Sequence, residues 1–377
     1  MHVNRTNLKI AIVLNTAWNI YNYRLGLIRA LIAAGHEVVA IAPPDEFVPQ
    51  IVATGCTFVP THKLSRKGTN PVKDWQYSQE LYKIYKAQAI DIALQYTIKP
   101  NIYGSMAAGR AGIKSISTVT GLGYSFLSDG LVNKIAKLLY KKAFSATSLV
   151  AFQNRDDQAL FQDLGLCPAQ KTTLIKGSGI NTTYFCPLPK TQENSDLIYL
   201  FVGRLLYDKG VVELLAAARQ LKQEHPATQF WIVGAIDQGN PSAISEEMLQ
   251  EYIADSTINY LGQSDDVRSI MQNADVVVLP SYREGLPRVM LESLAMAKPI
   301  VTTDVAGCRE VIQDTRNGFL VPVKDSTALA IALQKMYECS PAQRSEMGKV
   351  GRQMALDIFD EQAIINRYFE EIEKLTS

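Results

Sequence analysis

Short apolar runs alternate with segments of helical periodicity along almost the whole chain. Residues 8–14 (LKIAIVL) form a β-branched apolar run of the kind that fills a parallel strand buried on both faces. Residues 15–22 read as a loop. Residues 23–34 then place Leu25, Ile28, Leu31 and Ile32 at helical spacing, until Gly35 stops the helix. Residues 37–42 (EVVAIA) are the next strand, ended by Pro43 and Pro44. Such a β-loop-α-β unit crosses over right-handed, which makes its two strands parallel neighbours.

The alternation continues. Residues 58–60, 92–95, 115–119, 149–152 and 173–176 read as strands, with helices at 73–89 and 102–111. Residues 181–196, rich in Thr, Pro, Asn and Gln, read as a linker. The pattern then restarts with strands at 197–202, 229–233, 258–261, 276–279 and 300–303. A helix follows the first of them at 211–221, with Asp208 as its expected cap, and residues 361–374 form an amphipathic helix. The reading is α/β: two doubly wound Rossmann-like domains, residues 1–182 and 183–360, with the terminal helix (361–377) packing back on the first. Two such domains are expected to face each other across a deep cleft at the carboxyl ends of their strands, where open α/β sheets bind ligands.

Length and composition fit that picture. The chain has 377 residues, 47% hydrophobic and 20% charged, which suits a globular protein of about two domains. Lys plus Arg (38) nearly balances Asp plus Glu (37), for a net charge of +1, so a bulk-basic nucleic-acid binder is not expected. Five scattered cysteines without a C-x-x-C pair and four dispersed histidines argue against a disulfide framework or a metal cluster, and for a reducing, cytoplasmic compartment. The N-terminus runs from polar residues into a strand, unlike a signal peptide, and the longest charge-free runs (10–23 and 115–128) are too short and polar to span a membrane.

Two loops carry chemistry. Residues 280–292 (PSYREGLPRVMLE) lead from a strand through Glu284, Gly285 and Leu286 to Pro287, expected to open a helix. Free N–H groups at a helix start attract anions, Gly285 permits close approach, and Glu284 and Glu292 offer acceptors for hydroxyl-rich groups. The alternative is an ordinary βα connection with Arg288–Glu292 as an i,i+4 surface pair. Residues 202–210 (VGRLLYDKG) also link a strand to a helix. Arg204 and Lys209 suit a diphosphate, or are two solvated surface cations.

Gly121 and Gly123 form a further loop after a strand, either at the cleft or as a plain turn. Phe126 stands where a dinucleotide fingerprint needs its third glycine. Residues 131–144 make a basic amphipathic segment, with Leu131, Ile135, Leu138 and Leu139 on one face and Lys134, Lys137 and Lys141 on another. Such a helix either lies on an anionic membrane or buries its apolar face in the core. Lys63, Arg66, Lys67 and Lys73 add charge to the same domain. No Asp-x-Asp pair, Walker loop, G-x-S-x-G or H-E-x-x-H is present.

These residues resemble a known family. Gly203, Arg204, Lys209 and Gly210, the pair Glu284 and Glu292, and the run Gly307-Cys308-Arg309-Glu310 are similar to the retaining family 4 glycosyltransferases of the GT-B fold. Residues 21–31 (YNYRLGLIRAL) and 119–126 (VTGLGYSF) resemble a bacterial subgroup that extends undecaprenyl-diphosphate-linked saccharides for O-antigen, capsule or protein glycan assembly. The resemblance implies a UDP-sugar donor, a lipid-diphosphate-linked sugar acceptor, no cofactor and no metal, at the inner face of the cytoplasmic membrane. It implies that Arg204, Lys209 and Glu284 act on the donor diphosphate and sugar, and that Glu292 binds ribose. Gly203, Gly285, Leu286 and Gln263 would complete the donor site, with Asn19 and Gly121 from the first domain. Tyr21, Arg24, Lys134, Lys137 and Lys141 would serve the acceptor and membrane side. The chain departs from the family in two places: NTAWNIYN replaces the glycine pair of the first loop, and Thr120-Gly121 replaces a histidine facing the donor sugar. A UDP-sugar 2-epimerase-like enzyme and a non-catalytic sugar-nucleotide-binding module remain as alternative readings.

Overall fold

A computed structural model describes residues 7–65, 70–122, 130–191, 196–237 and 239–377. Arg66, Lys67, Gly123 and Phe126 of the sequence reading lie outside the described residues. The chain divides into two compact units: residues 1–178 with 362–377, and residues 179–361.

The first unit is built on β1 (Lys9–Val13), β2 (Glu37–Ala42), β3 (Thr57–Pro60), β4 (Ile92–Tyr96), β5 (Lys114–Val119), β6 (Leu149–Phe152) and β7 (Thr172–Leu174). They form one parallel sheet of order β3-β2-β1-β4-β5-β6-β7. The order reverses between β1 and β4, which pair from Ile10 opposite Ile92 to Val13 opposite Gln95. Helix α1 (Ala17–Ala33) covers one face with Ile20, Leu27, Ile28 and Leu31. The other face is covered by α3 (Pro71–Ala87), which follows the short α2 (Val48–Val52), and by α4 (Ser105–Ala111) and α5 (Leu131–Ala146). A single wide π-type turn, Pro100–Gly104, leads into α4. Helix α6 (Arg155–Asp163) adds Phe161 to an aromatic cluster with Tyr140, Phe144 and Phe152.

The second unit repeats the plan with β8 (Ile198–Val202), β9 (Gln229–Val233), β10 (Asn259–Tyr260), β11 (Val276–Leu279), β12 (Ile300–Thr303) and β13 (Gly318–Val321). Their order is β10-β9-β8-β11-β12-β13, so the reversal falls between β8 and β11. The helices are α7 (Val211–Glu224), α8 (Glu246–Ala254), α9 (Arg268–Asn273), α10 (Arg288–Ala295), α11 (Ser326–Glu338) and α12 (Pro341–Ile358). The terminal helix α13 (Glu361–Thr376) belongs to the first unit. Its Ile364, Ile365, Tyr368 and Ile372 enter the α1 face, and its Tyr368 hydroxyl lies 3.1 Å from Thr118 Oγ1 of β5.

Several expectations are corrected. Residues 15–22 are not one loop, because the helix begins at Ala17. The Thr16 side chain accepts from the Asn19 N–H at 3.0 Å, so Asn19 and Tyr21 stand on α1. Asp208 does not cap α7. Gly210 does, in the left-handed region at φ +68, while Asp208 accepts from Ser242 Oγ at 3.1 Å. Pro287 immediately precedes α10 rather than opening it. The first part of the expected linker is bolted to the second unit: Arg352 donates to the carbonyls of Thr182 (2.9 Å) and Phe185 (3.0 Å). The apolar residues read on one face of residues 131–144 divide between core and solvent. Tyr140, Ala143 and Phe144 face the core with half-buried Leu139, whereas Ile135 and Leu138 are exposed. The aromatic pair packs on Phe161 and decides the orientation, since aromatic rings bury the most area. Strand β13 and helices α2, α6, α11 and α12 were not anticipated.

Close backbone packing in the second unit is set by Gly348 in α12, where an added Cβ would overlap the carbonyl oxygen of Ala297. Helix propensity alone favours Gly348→Ala by about 1 kcal/mol. Overpacking costs about 1–3 kcal/mol, and here it acts against backbone that cannot swing aside. The expected outcome is a net loss of stability, read as a lower urea midpoint at unchanged m-value.

Candidate functional site

The chemistry-bearing residues of the second unit gather at the carboxyl end of its sheet, where the strand order reverses. The loop after β8 and the loop after β11 meet there through their backbones. The Tyr282 N–H donates to the Asp208 carbonyl at 2.9 Å. A side chain at Gly210 would overlap the Pro280 carbonyl oxygen, so the approach requires glycine both for space and for its positive φ. The neighbouring loops are joined in the same way. A Cβ at Gly234 would overlap the Gly203 carbonyl oxygen, and one at Gly307 would sit 2.5 Å from the Gly285 carbonyl oxygen. The Gly203 N–H donates to Val233 (3.0 Å), Gly234 to Gly262 (2.8 Å) and Glu284 to Ala306 (3.2 Å).

This stitching fixes the charged side chains. Lys209 Nζ contacts Glu284 Oε1 directly across the reversal point, and both side chains are largely buried. Arg204 turns away from that pair. It is exposed, and its Nη1 lies 3.0 Å from Asp237 Oδ2 on the loop after β9. Glu292 on α10 is buried, with Oε1 3.0 Å from Arg288 Nε. Burial pushes its carboxyl up, while the Arg288 guanidinium pulls it down. The i,i+4 pair therefore exists but is half sunk into the unit rather than a solvated surface pair. Leu286 and Gly285 lie just ahead of α10, and Gln263 is exposed beside Gly262.

Asp237, Tyr282, Glu213 and Lys324 were not singled out in the sequence. Asp237 follows Gly234 by three residues and holds Arg204. Tyr282 lies inside the quoted motif, donates to Glu213 Oε1 at 2.7 Å and carries Lys324 Nζ 5.0 Å above its ring. No spacing rule could flag these, because each contact joins segments distant in sequence. Cys308, in the run 307–310, is buried, which pushes its thiol up to about 12, and Arg309 is turned to Asp304 at 2.5 Å. Among the described residues, no group of three or more His, Cys, Asp or Glu side chains is placed to hold a metal ion.

In the first unit, Asn19 Nδ2 donates to Asn15 Oδ1 at 2.6 Å, and the Tyr21 ring packs against Phe47 with centroids 5.0 Å apart. Arg24 is buried, with its guanidinium carbon 4.0 Å from the Tyr96 ring centroid. Gly121 follows β5 at φ +127. Lys134 and Lys141 are exposed on α5, and Lys137 is half-buried. The α5 lysines are thus solvent-facing or half-buried, whereas Arg24 is buried.

The family model "Glycosyl transferases group 1" matches residues 189–354, and "Glycosyl transferase 4-like" matches residues 9–154. The chain is 31% identical, over 96% of its length and 98% of the relative, to the N,N'-diacetylbacillosaminyl-diphospho-undecaprenol alpha-1,3-N-acetylgalactosaminyltransferase of Campylobacter jejuni. It is 26% identical, over 74% of each chain, to the UDP-Gal:alpha-D-GlcNAc-diphosphoundecaprenol alpha-1,3-galactosyltransferase of Escherichia coli. The solved structure of Anabaena HepE in complex with UDP superimposes with a TM-score of 0.78, at 19% identity, covering 98% of this chain and 100% of that one. With one relative matched end to end and each half matched by a glycosyltransferase model, the chain belongs to the group 1 glycosyltransferases and has their GT-B fold.

Proposed function

We propose that this enzyme is a retaining, metal-independent family 4 glycosyltransferase. It moves a hexose or N-acetylhexosamine from a UDP-sugar to an undecaprenyl-diphosphate-linked saccharide. The observation that carries the reading is the Lys209–Glu284 contact across the reversal point of the second sheet. It sits where open α/β sheets bind ligands and sets a cation beside a hydroxyl acceptor. The names of the two relatives support the acceptor class, and the UDP complex of the Anabaena protein supports the nucleotide.

The residue roles follow from charge. Glycosyl transfer passes through an oxocarbenium-like state, and negative charge grows on the departing diphosphate. Lys209 and Arg204 stabilise that charge, with the Gly285 and Leu286 amides at the start of α10. Each cation already carries a carboxylate partner, Glu284 or Asp237, so the donor diphosphate exchanges one anion for another and strands no charge. Glu284 then turns to the donor sugar hydroxyls, Glu292 holds the ribose, Gly203 keeps the loop open and Gln263 edges the base. From the first unit, Asn19 and Gly121 serve the donor side, and Tyr21 and Arg24 the acceptor side. The acceptor hydroxyl attacks the face the diphosphate leaves, a phosphate oxygen takes its proton, and the new bond is α.

The same reading places the enzyme at the inner face of the cytoplasmic membrane, as a peripheral protein. On α5, exposed Ile135 (48%) and Leu138 (68%) stand among exposed Lys134 and Lys141. Apolar side chains ringed by lysines match an anionic lipid surface. No helix among the described residues is long and apolar enough to cross a membrane.

Three outcomes are expected. Lys209→Ala and Arg204→Ala each lower kcat by about 100-fold or more while the thermal transition is kept. Near-normal turnover in either removes that residue from the site. Gly210→Ala pushes the two loops apart, so stabilisation by UDP, about 2.7 kcal/mol at 100 times its Kd, is lost. An intact UDP shift in that variant counts against the loop junction as the nucleotide site. Ile135→Asp with Leu138→Asp lowers co-sedimentation with phosphatidylglycerol vesicles several-fold and leaves binding of UDP unchanged. Unaltered sedimentation would move the membrane contact off α5.

A further inference from the structure

Five charged residues are buried among the described residues: Arg24, Asp74, Asp157, Glu292 and Glu371. Four are satisfied within the protein. Asp74 binds Lys99 at 2.7 Å, Asp157 Oδ2 accepts from Asn154 at 3.0 Å, Glu292 pairs with Arg288 and Glu371 with Arg367. Arg24 is different. It is 3% exposed, its Nε is buried without an acceptor, and no carboxylate among the described residues pairs with it. Its one strong contact is the Tyr96 ring. A ring face offsets only part of the hydration that a guanidinium loses on burial.

The position of Arg24 explains why such a cost is kept. Helix α1 follows β1, and Tyr96 ends β4, so the Arg24–Tyr96 contact joins the helix after one of the two strands at the sheet's reversal to the end of the other. The corresponding point of the second sheet holds Lys209 with Glu284 as its counter-charge. The first sheet has the cation at this point and, among the described residues, no carboxylate paired with it. Beside it the backbone is strained: Thr97, β-branched, is held at φ +67, and its Oγ1 is buried without a partner. The start of α1, the other anion-attracting element nearby, is already satisfied, because the Trp18 N–H donates to Asp45 Oδ2 at 2.8 Å.

We propose that Arg24 is a phosphate-recognition residue of the first unit, whose guanidinium takes an oxyanion of a diphosphate ligand. The source assigned to that diphosphate rests on the proposed function: it is the acceptor lipid, with the nucleotide as the other possible source of the same chemistry. Arg24 is then a residue whose burial weakens the unliganded fold and whose charge is neutralised on binding.

The test uses the full chain and thermal unfolding with three probes: farnesyl diphosphate, farnesol and UDP. Wild type is expected to be stabilised by farnesyl diphosphate and not by farnesol. Arg24→Met, of similar length and without charge, is expected to be at least as stable as wild type alone, to keep its UDP shift and to lose its farnesyl diphosphate shift. In turnover assays Arg24→Lys raises the acceptor KM by about 10- to 100-fold, the range of a lost charged hydrogen bond, and leaves the UDP-sugar KM unchanged. Loss of the UDP shift instead, with the prenyl shift intact, keeps the phosphate role and overturns the lipid source. A lower unfolding temperature in Arg24→Met with every ligand shift intact overturns the proposal, as does absence of a farnesyl diphosphate shift in wild type. Failure of wild type to respond to UDP bears on the donor site alone.

Discussion

A side chain at Gly210 would run into the Pro280 carbonyl oxygen, and the loops after β8 and β11 meet only because that side chain is missing. The remainder of the second unit's site follows from that approach. It brings the Tyr282 N–H to the Asp208 carbonyl and Lys209 to Glu284. Gly234 and Gly307 make the same kind of approach to the Gly203 and Gly285 carbonyls, so the loops at the carboxyl end of the sheet form one stitched rim. Backbone held this way does not reorganise when charge develops, which is what electrostatic stabilisation of a leaving group needs.

The two units handle charge at their reversal points in opposite ways. In the second, each cation has a carboxylate within reach, Glu284 for Lys209, Asp237 for Arg204 and Glu292 for Arg288. In the first, Arg24 is buried against the Tyr96 ring, with no carboxylate partner among the described residues. An unpaired buried charge weakens a fold, while a paired one is close to neutral. That contrast is a property of side-chain placement on two sheets of the same topology.

Much of the fold was legible because buried parallel strands leave a strong trace. The edges of β2, β6, β9, β11 and β12 agree with the apolar runs residue for residue. The errors fall where a local rule met a tertiary one. Residues 15–22 looked like a loop for their polarity, yet Thr16 caps a helix there. Asp208 looked like a cap, yet Gly210 takes that position because only glycine fits against Pro280. On residues 131–144 the sequence left the apolar face either in the core or on a membrane surface; Tyr140 and Phe144 pack on Phe161, while Ile135 and Leu138 are exposed. Strand β13, GFLV, opens on Gly318, which is unlike a strand residue, and was not seen, although that glycine is what lets it pass the Ile300 carbonyl.

The sequence by itself determined the class of fold, the repeated doubly wound plan and the two loops that carry Arg204, Lys209, Glu284 and Glu292. Each of these is written in local order: apolar runs, helical spacing and loop composition within a few residues. Only the tertiary structure decided which charge meets which. That Lys209 reaches Glu284 while Arg204 reaches Asp237, that Glu292 sinks beside Arg288, and that Arg24 is left with Tyr96 all depend on strands distant in sequence lying side by side. Pairing across a sheet is set by its strand order, and strand order is a property of the packed chain, not of any one segment.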